Sequence, residues 1–319
     1  MDFNYYLPEG SSIYSKENLS YISSLSGLER AMQEDRILEA NAVMCDEDFN
    51  LHIDLFGIRG IIPRNECVMT QNDEPIKDIA IITRVGKPVC FKVISIEAFG
   101  DTYNVILSRK KAQIECRNFY LSSLQTGDII PATVTHLDRF GAFVDIGCGI
   151  PSLLSIDCIS VSRISHPSDR LFSGQKLDVI VKSNDTETGR IYVTLKELLG
   201  TWEENANQFC VGQTVSGIVR SIESYGVFIE LAPNLAGLAE LKEDHPLANS
   251  IEVGDSVSVY IKSILPDRMK IKLILIDFNT YPSKTPPIHY FINTKETHHI
   301  DVWKYSPNKS TKLIESVFE

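Results

Sequence analysis

The sequence predicts a mainly β protein built from closed five-stranded Greek-key barrels in tandem, two clear copies and a divergent one on their N-terminal side. Three observations predict it. Residues 127–146, GDIIPATVTHLDRFGAFVDI, return as residues 212–231, GQTVSGIVRSIESYGVFIEL, at a constant offset of 85 residues without a gap. The offset aligns Gly127 with Gly212, Val134 with Val219, Phe140 with Tyr225, Gly141 with Gly226 and Phe143 with Phe228. A match of this kind across β-branched and aromatic positions marks a duplicated structural unit. Second, Val, Ile and Thr dominate both copies in alternation with polar residues, the period of a strand with one buried face. Third, each copy continues into a Gly- or Pro-containing turn, a short apolar strand, a long loop and a further strand pair. The pair is GQKLDVIVKSN with GRIYVTLKEL in one copy, and GDSVSVYIKSI with MKIKLILI in the other. Five short strands with one long loop before the fourth fit a closed barrel, and closure removes edges that would pair with other chains.

The elements follow in order. Residues 1–35 form an acidic N-terminal segment, with Asp2, Glu9, Glu17, Glu29, Glu34 and Asp35 against Lys16 and Arg30. Over residues 16–38 Leu25, Leu28, Met32 and Leu38 make a short amphipathic stripe, which predicts a helix packed on the first barrel; docking to a partner is the alternative role. Residues 36–111 read as the divergent barrel, lacking an F-G-A-F element between the first two strands. Residues 120–198 and 209–276 are the two clear barrels, joined by TWEENANQF, a short helical linker in which Trp202 is expected to pack between them. In the C-terminal extension, 277–319, Pro282, Pro286 and Pro287 mark a connector. IHYFINT and HIDVWKYSP then read as a small hairpin, and STKLIESVF as a short terminal helix with Ser310 as N-cap. Tyr290, Phe291, Trp303 and Tyr305 are expected to cover a barrel surface, because an isolated hairpin is barely stable alone.

Composition narrows the function classes. The net charge of −11 argues against a dense basic surface gripping duplex DNA. It leaves room for single-strand binding, where stacking on rings supplies much of the affinity. The seven cysteines are odd in number, widely spaced and without a C-x-x-C pair, so they read as reduced thiols rather than a disulfide framework or a zinc site. No run of about 18 apolar residues suggests a membrane span, and the N-terminus lacks a basic stretch followed by an apolar run. The expectation is a cytoplasmic protein without membrane contact.

The motif G-x-x-x-x-x-x-V-x-x-x-x-x-F-G-A-F-V from Gly127 to Val144, the short strand Leu153–Ile156 and the strand from Arg190 to Lys196 resemble the S-one RNA-binding domain family, whose namesake is a bacterial small-subunit ribosomal protein. The likeness also covers 209–275 and, more loosely, 36–111 through GIIPRNE at 60–66. It implies oligonucleotide-binding barrels that hold single-stranded RNA, in a tandem protein similar to the ribosomal one or to a stand-alone relative. Its binding face falls on Phe140 and Phe143, and on Tyr225 and Phe228. The third-strand position where the family often carries His is Ser155 in one copy and Glu240 in the other. The basic residue opening the last strand matches Arg190 and Lys270. Glu240 puts a negative charge where a phosphate chain would run. The alternative reading is an acidic protein-interaction adaptor with little RNA affinity of its own, docking on the ribosome or another RNA machine through the acidic segment and the ring-poor first barrel.

The residues supply a physical reason for such a face. Positions three apart in a regular strand point to opposite sides, so both rings share one side only if the chain bends between them; Gly141 and Gly226 stand where the bend is needed. Arg139, Lys182 and Arg190, with Arg220, Lys262 and Lys270 in the next copy, are candidates to neutralise phosphates or stack by cation–π contact. Neighbouring His298 and His299 point apart on an extended segment, which speaks against a metal shared with Asp301. His166-Pro167 and His245-Pro246 sit in long loops without a catalytic grouping, and no phosphate loop, dinucleotide fingerprint or nucleophile elbow occurs. The expectation is a binding protein without cofactor or metal, not an enzyme.

Overall fold

The computed structural model describes residues 6–70, 74–99, 102–240, 251–279 and 288–318. The connector prolines Pro282, Pro286 and Pro287 and the His245-Pro246 loop lie outside them. Two compact units divide the chain: Met1–Leu124 with Pro131–Thr133 and Asp145–Pro151, and Gln125–Ile130 with Val134–Val144 and Ser152–Glu319.

Among the described residues three closed barrels form, with one topology. Barrel 1 follows two helices, α1 (Lys16–Ile22) and α2 (Leu25–Gln33), where the stripe predicts one. The break falls at Ser23–Ser24 because each helix has its own cap: the Ser15 and Ser24 hydroxyls accept from the backbone N–H groups of Asn18 and Gly27. The barrel strands are β1 (Leu38–Cys45), β2 (Leu51–Leu55), β3 (Ile58–Ile62), β4 (Pro88–Phe99) and β5 (Thr102–Ser108), with the short helix α3 (Asp78–Ile82) before β4. Their order around the barrel is β1-β2-β3-β5-β4, with β3 and β5 parallel. Tyr21, Ile22, Leu28 and Ala31 of the helices join Leu51, Ile53, Phe91 and Leu107 in one core, so the amphipathic face is spent on barrel 1.

Helix α4 (Arg109–Ser123) then follows β5 directly, across the stretch between the two expected barrels to which the sequence assigns no element. Arg109, Ala112, Gln113, Cys116 and Tyr120 are its buried face. The spacing is helical, but three of the five are polar or thiol groups, so hydropathy does not reveal it. Arg109 donates to both Glu9 carboxylate oxygens, at 2.6 and 2.9 Å. Asp145 accepts from the Glu9 backbone N–H at 2.8 Å, and Glu39 accepts from Gly10 and Ser12 at 3.2 and 2.9 Å. The acidic segment is thereby strapped down by buried carboxylates. Burial pushes the Glu39 carboxyl up to about 7, and that of Asp145 also up to about 7.

Barrel 2 comprises β6 (Ile129–Asp138), β7 (Gly141–Asp145), β8 (Pro151–Ser155), β9 (Lys176–Asp185) and β10 (Arg190–Thr194). Helix α5 (Trp202–Ala206) is closed by a reciprocal cap between Thr201 and Glu204. Barrel 3 comprises β11 (Thr214–Glu223), β12 (Gly226–Ala232), β13 (Leu235–Ala239), β14 (Ser256–Leu265) and β15 (Lys270–Asn279). In both barrels the ring order is that of barrel 1, and the third and fifth strands pair in parallel. Val134, Val144, Leu154, Val181 and Val193 fill barrel 2, and Val219, Val227, Ile229, Val259 and Ile271 fill barrel 3.

The C-terminal extension forms the expected small hairpin, but from other segments and without the expected helix. Its strands are β16 (Val302–Lys304) and β17 (Glu315–Val317), while 288–294 is irregular. The segment read as a terminal helix is drawn out as a strand, because β17 pairs with β16 and the Ser316 hydroxyl donates to Glu197 at 2.7 Å. Ser310 bonds locally to Lys312 instead of capping a helix. Trp303 and Tyr305 are buried with Trp202 in the barrel 3 core, and the Tyr305 hydroxyl donates to the Asn234 carbonyl at 2.6 Å. Tyr290 accepts from the Asp178 backbone N–H at 2.8 Å. His299 holds Asp128 at 2.7 Å and Asp301 at 3.3 Å through its two ring nitrogens. These aromatic residues therefore bind the extension to barrels 2 and 3.

Candidate nucleic-acid interface

In barrel 2 the first ring lies in the hairpin turn ahead of the strand, not within it. Arg139 and Phe140 occupy the β6–β7 turn, and Gly141 opens β7. From there Ala142 and Val144 point inward and Phe143 outward, so the two rings meet at 5.8 Å between centroids, edge to face. Barrel 3 repeats this with Tyr225 and Phe228 at 6.2 Å and 89°. The bulge expected at the glycine lies across the hairpin instead, between Val219 and Ser221 of β11. The glycine answers a different demand: at Gly226 φ is +152°, and a Cβ would come within 2.5 Å of the Ala239 carbonyl oxygen. Removing the side chain lets the end of β13 pass beside the ring pair.

Phe140 is 50% exposed and Tyr225 58%, large apolar surfaces left open to water. Two side chains the sequence reading missed join the barrel 2 face. His136 lies 6.4 Å from Phe143 with its plane tilted by 25°, a stacked arrangement. Tyr192 lies between inward-facing Ile191 and Val193 and pairs with outward-facing Leu153. Alternation around a third- and fifth-strand pair was the available signal for Tyr192.

The basic residues separate. Arg139, Lys182, Arg190, Lys262 and Lys270 are exposed. Lys182 directs its ammonium to the Cys158 thiol at 3.2 Å, and Ser155 bonds to Asp157, which this hydrogen bond holds below the usual carboxylate range. Arg220 departs from its expected role. Its guanidinium is 7% exposed, with Nε 2.8 Å from Glu230 and Nη1 3.3 Å from Asp169. Arg170 reaches the same Glu230 carboxylate, and both partners are almost fully buried. The His166-Pro167 loop positions it: the His166 ring accepts from the Ser168 backbone N–H and the Asp169 carboxylate from that of His166, setting Arg170 at the end of that turn. A ring of charges in water would favour phosphate; this one is consumed in joining barrel 2 to barrel 3.

Beside Tyr225 and Phe228 a groove of about 390 Å³ opens, lined also by Leu238, Glu240, Lys270 and Lys272. Glu240 is 3.5 Å from the Lys272 ammonium, so its charge is partly answered.

Barrel 1 fills the same two register positions with other rings. Phe228 pairs with Leu238 and faces the bulge in β11; His52 pairs with Ile61 and faces the bulge between Ala42 and Met44. Counting back three residues places Phe49 where Tyr225 stands. Both rings are occupied. The Arg64 guanidinium sits 4.8 Å over the Phe49 ring, and buried His52 holds Asp46 at 3.0 Å.

Comparison with known proteins agrees with this layout. The S1 RNA binding domain matches residues 123–196. The small ribosomal subunit protein bS1 of Leuconostoc lactis is 29% identical over 84% of this chain, which spans 64% of that protein's length. The bS1 of Staphylococcus aureus (strain COL) is 30% identical over 83% of this chain and 67% of its own. A crystal structure of a multidomain protein with nucleic acid binding domains from Streptococcus pneumoniae overlaps 75% of this chain and 73% of its own at 14% identity and a TM-score of 0.24, too low to add to the barrel topology. Two ring-bearing barrels, a third with the same strand order and relatedness through most of the sequence place this chain in the family of the bacterial small ribosomal subunit protein bS1.

Proposed function

We propose that the chain binds single-stranded RNA in translation, by stacking unpaired bases on the outer faces of barrels 2 and 3, with barrel 2 as the main site. The observation that carries this reading is the pairing of exposed Phe140 with half-buried Phe143, extended by His136. Each base–ring stack contributes roughly 1–3 kcal/mol and tolerates any base. Arg139 and Arg190, with Lys262 and Lys270 on barrel 3, line up as phosphate partners. Messenger RNA in the cytoplasm is the substrate this reading favours. Barrel 1, whose ring positions are covered, serves with the N-terminal segment as a docking element for the ribosome or another protein.

The test is fluorescence anisotropy of a labelled single-stranded RNA with wild type and Phe140→Ala/Phe143→Ala. Loss of two stacks predicts at least a roughly thirtyfold weaker affinity. Unchanged affinity with a native circular dichroism spectrum refutes the stacking mechanism.

A further inference from the structure

The groove on barrel 3 has a feature that plain stacking does not use. Glu240 directly follows β13, and the Gly226 side-chain void brings that strand end against the ring pair. The carboxylate is 72% exposed and borders the same groove as Tyr225 and Phe228. Its contact with Lys272 at 3.5 Å joins two largely exposed groups, an ion pair that solvent screens and a ligand readily displaces. A base stacked on these rings presents an edge to the groove wall. A carboxylate only accepts hydrogen bonds. Guanine alone offers it two adjacent donors, N1–H and the 2-amino group, matching its two oxygens. Adenine and cytosine set one amino group beside a ring-nitrogen acceptor, and uracil flanks its single N–H with two carbonyls, so each of these opposes one carboxylate oxygen.

We propose that barrel 3 is a guanine-selective subsite, with Glu240 as its specificity-determining residue. The inference rests on the RNA-binding reading above. Barrel 2 serves as the internal contrast: the corresponding residue is Ser155, uncharged and bonded to Asp157, so that face stacks bases without this selection. The negative charge that would repel a phosphate chain is here a reader of a base edge, while Lys270 and Lys272 supply the positive side of the groove.

The experiment uses the full chain carrying Phe140→Ala/Phe143→Ala, so that barrel 3 dominates binding. Labelled nonamers of uridine with one central guanosine, inosine or adenosine are titrated by anisotropy. The guanosine oligomer is expected to bind roughly tenfold tighter than the adenosine one, the scale of a bidentate base contact. Inosine, which keeps N1–H and lacks the 2-amino group, falls between. Adding Glu240→Gln abolishes the preference while leaving the adenosine oligomer bound at least as well. Equal affinities in the presence of Glu240, or a guanosine preference that survives Glu240→Gln, overturn the inference alone. Failure of both this protein and wild type to bind any oligomer overturns the RNA reading and the inference together.

Discussion

Replacing Glu230 by Gln removes the carboxylate that the buried guanidiniums of Arg170 and Arg220 share. Arg170, Glu230 and Arg220 have side chains 2%, 3% and 7% exposed, so the perturbation leaves like charges facing each other with Asp169 as the remaining carboxylate in reach among the described residues. Breaking a buried pair from one side costs about 3–5 kcal/mol, since the remaining charge has lost both water and partner. Arg170→Met is milder, because Glu230 keeps Arg220 at 2.8 Å; losing one charged hydrogen bond costs about 1.5–3 kcal/mol. Both tryptophans of the chain, Trp202 and Trp303, are buried in the barrel 3 core, so their fluorescence reports this region. With a guanidinium slope of roughly 3–4 kcal/mol per molar, Glu230→Gln lowers the unfolding midpoint by about 1 M. The ordering is the sharper check. A midpoint for Glu230→Gln within about 0.2 M of wild type, or equal damage from Arg170→Met, refutes the argument that a shared buried acceptor holds the two barrels together.

Two other outcomes are expected. Glu39 and Asp145 have folded-state carboxyls raised to about 7 from ordinary values of 4.5 and 3.8. Between those limits the folded state holds protons that the unfolded chain has released, so the first unit loses stability as pH rises from about 5 to 7, by at most about 1.4 kcal/mol per pH unit for each group. Calorimetry across that range should show a transition moving down with pH, and Glu39→Gln should flatten the dependence; a transition that rises instead contradicts the assignment. Salt separates stacking from charge: with about four phosphate contacts at roughly 0.7 counterions each, the slope of log affinity against log salt is about −3. A slope steeper than about −6 would mean that phosphate contacts, rather than the rings, dominate binding.

The barrels were legible because their signals are local. A strand repeats every two residues, and a duplicated strand set shows as an offset regardless of what packs on it. The ring pair was legible as a spacing, Phe140 to Phe143 and Tyr225 to Phe228, although its mechanism was not: the first ring sits in a turn, and the bulge is on β11. Helix α4 escaped notice because its buried face carries Arg109, Gln113 and Cys116, which satisfy hydrogen bonds and ion pairs that no hydropathy pattern records. The terminal segment has a plausible helix cap at Ser310, but pairing with Val302–Lys304 outweighs that local preference.

By itself the sequence determined three β-barrel units, two with an aromatic pair at one position of the repeat, since alternation and turn glycines act over a few residues. Only the tertiary structure decided which charges remain available. Arg190 and Arg220 look alike in the chain, yet one opens to solvent and the other is spent on Glu230 and, across the barrel junction, on Asp169. Phe49 and His52 likewise take the ring positions of barrel 1, but Arg64 and Asp46 cover them. A side chain's chemistry is written locally; whether it faces water or a partner is set by residues that meet it only once the chain has folded.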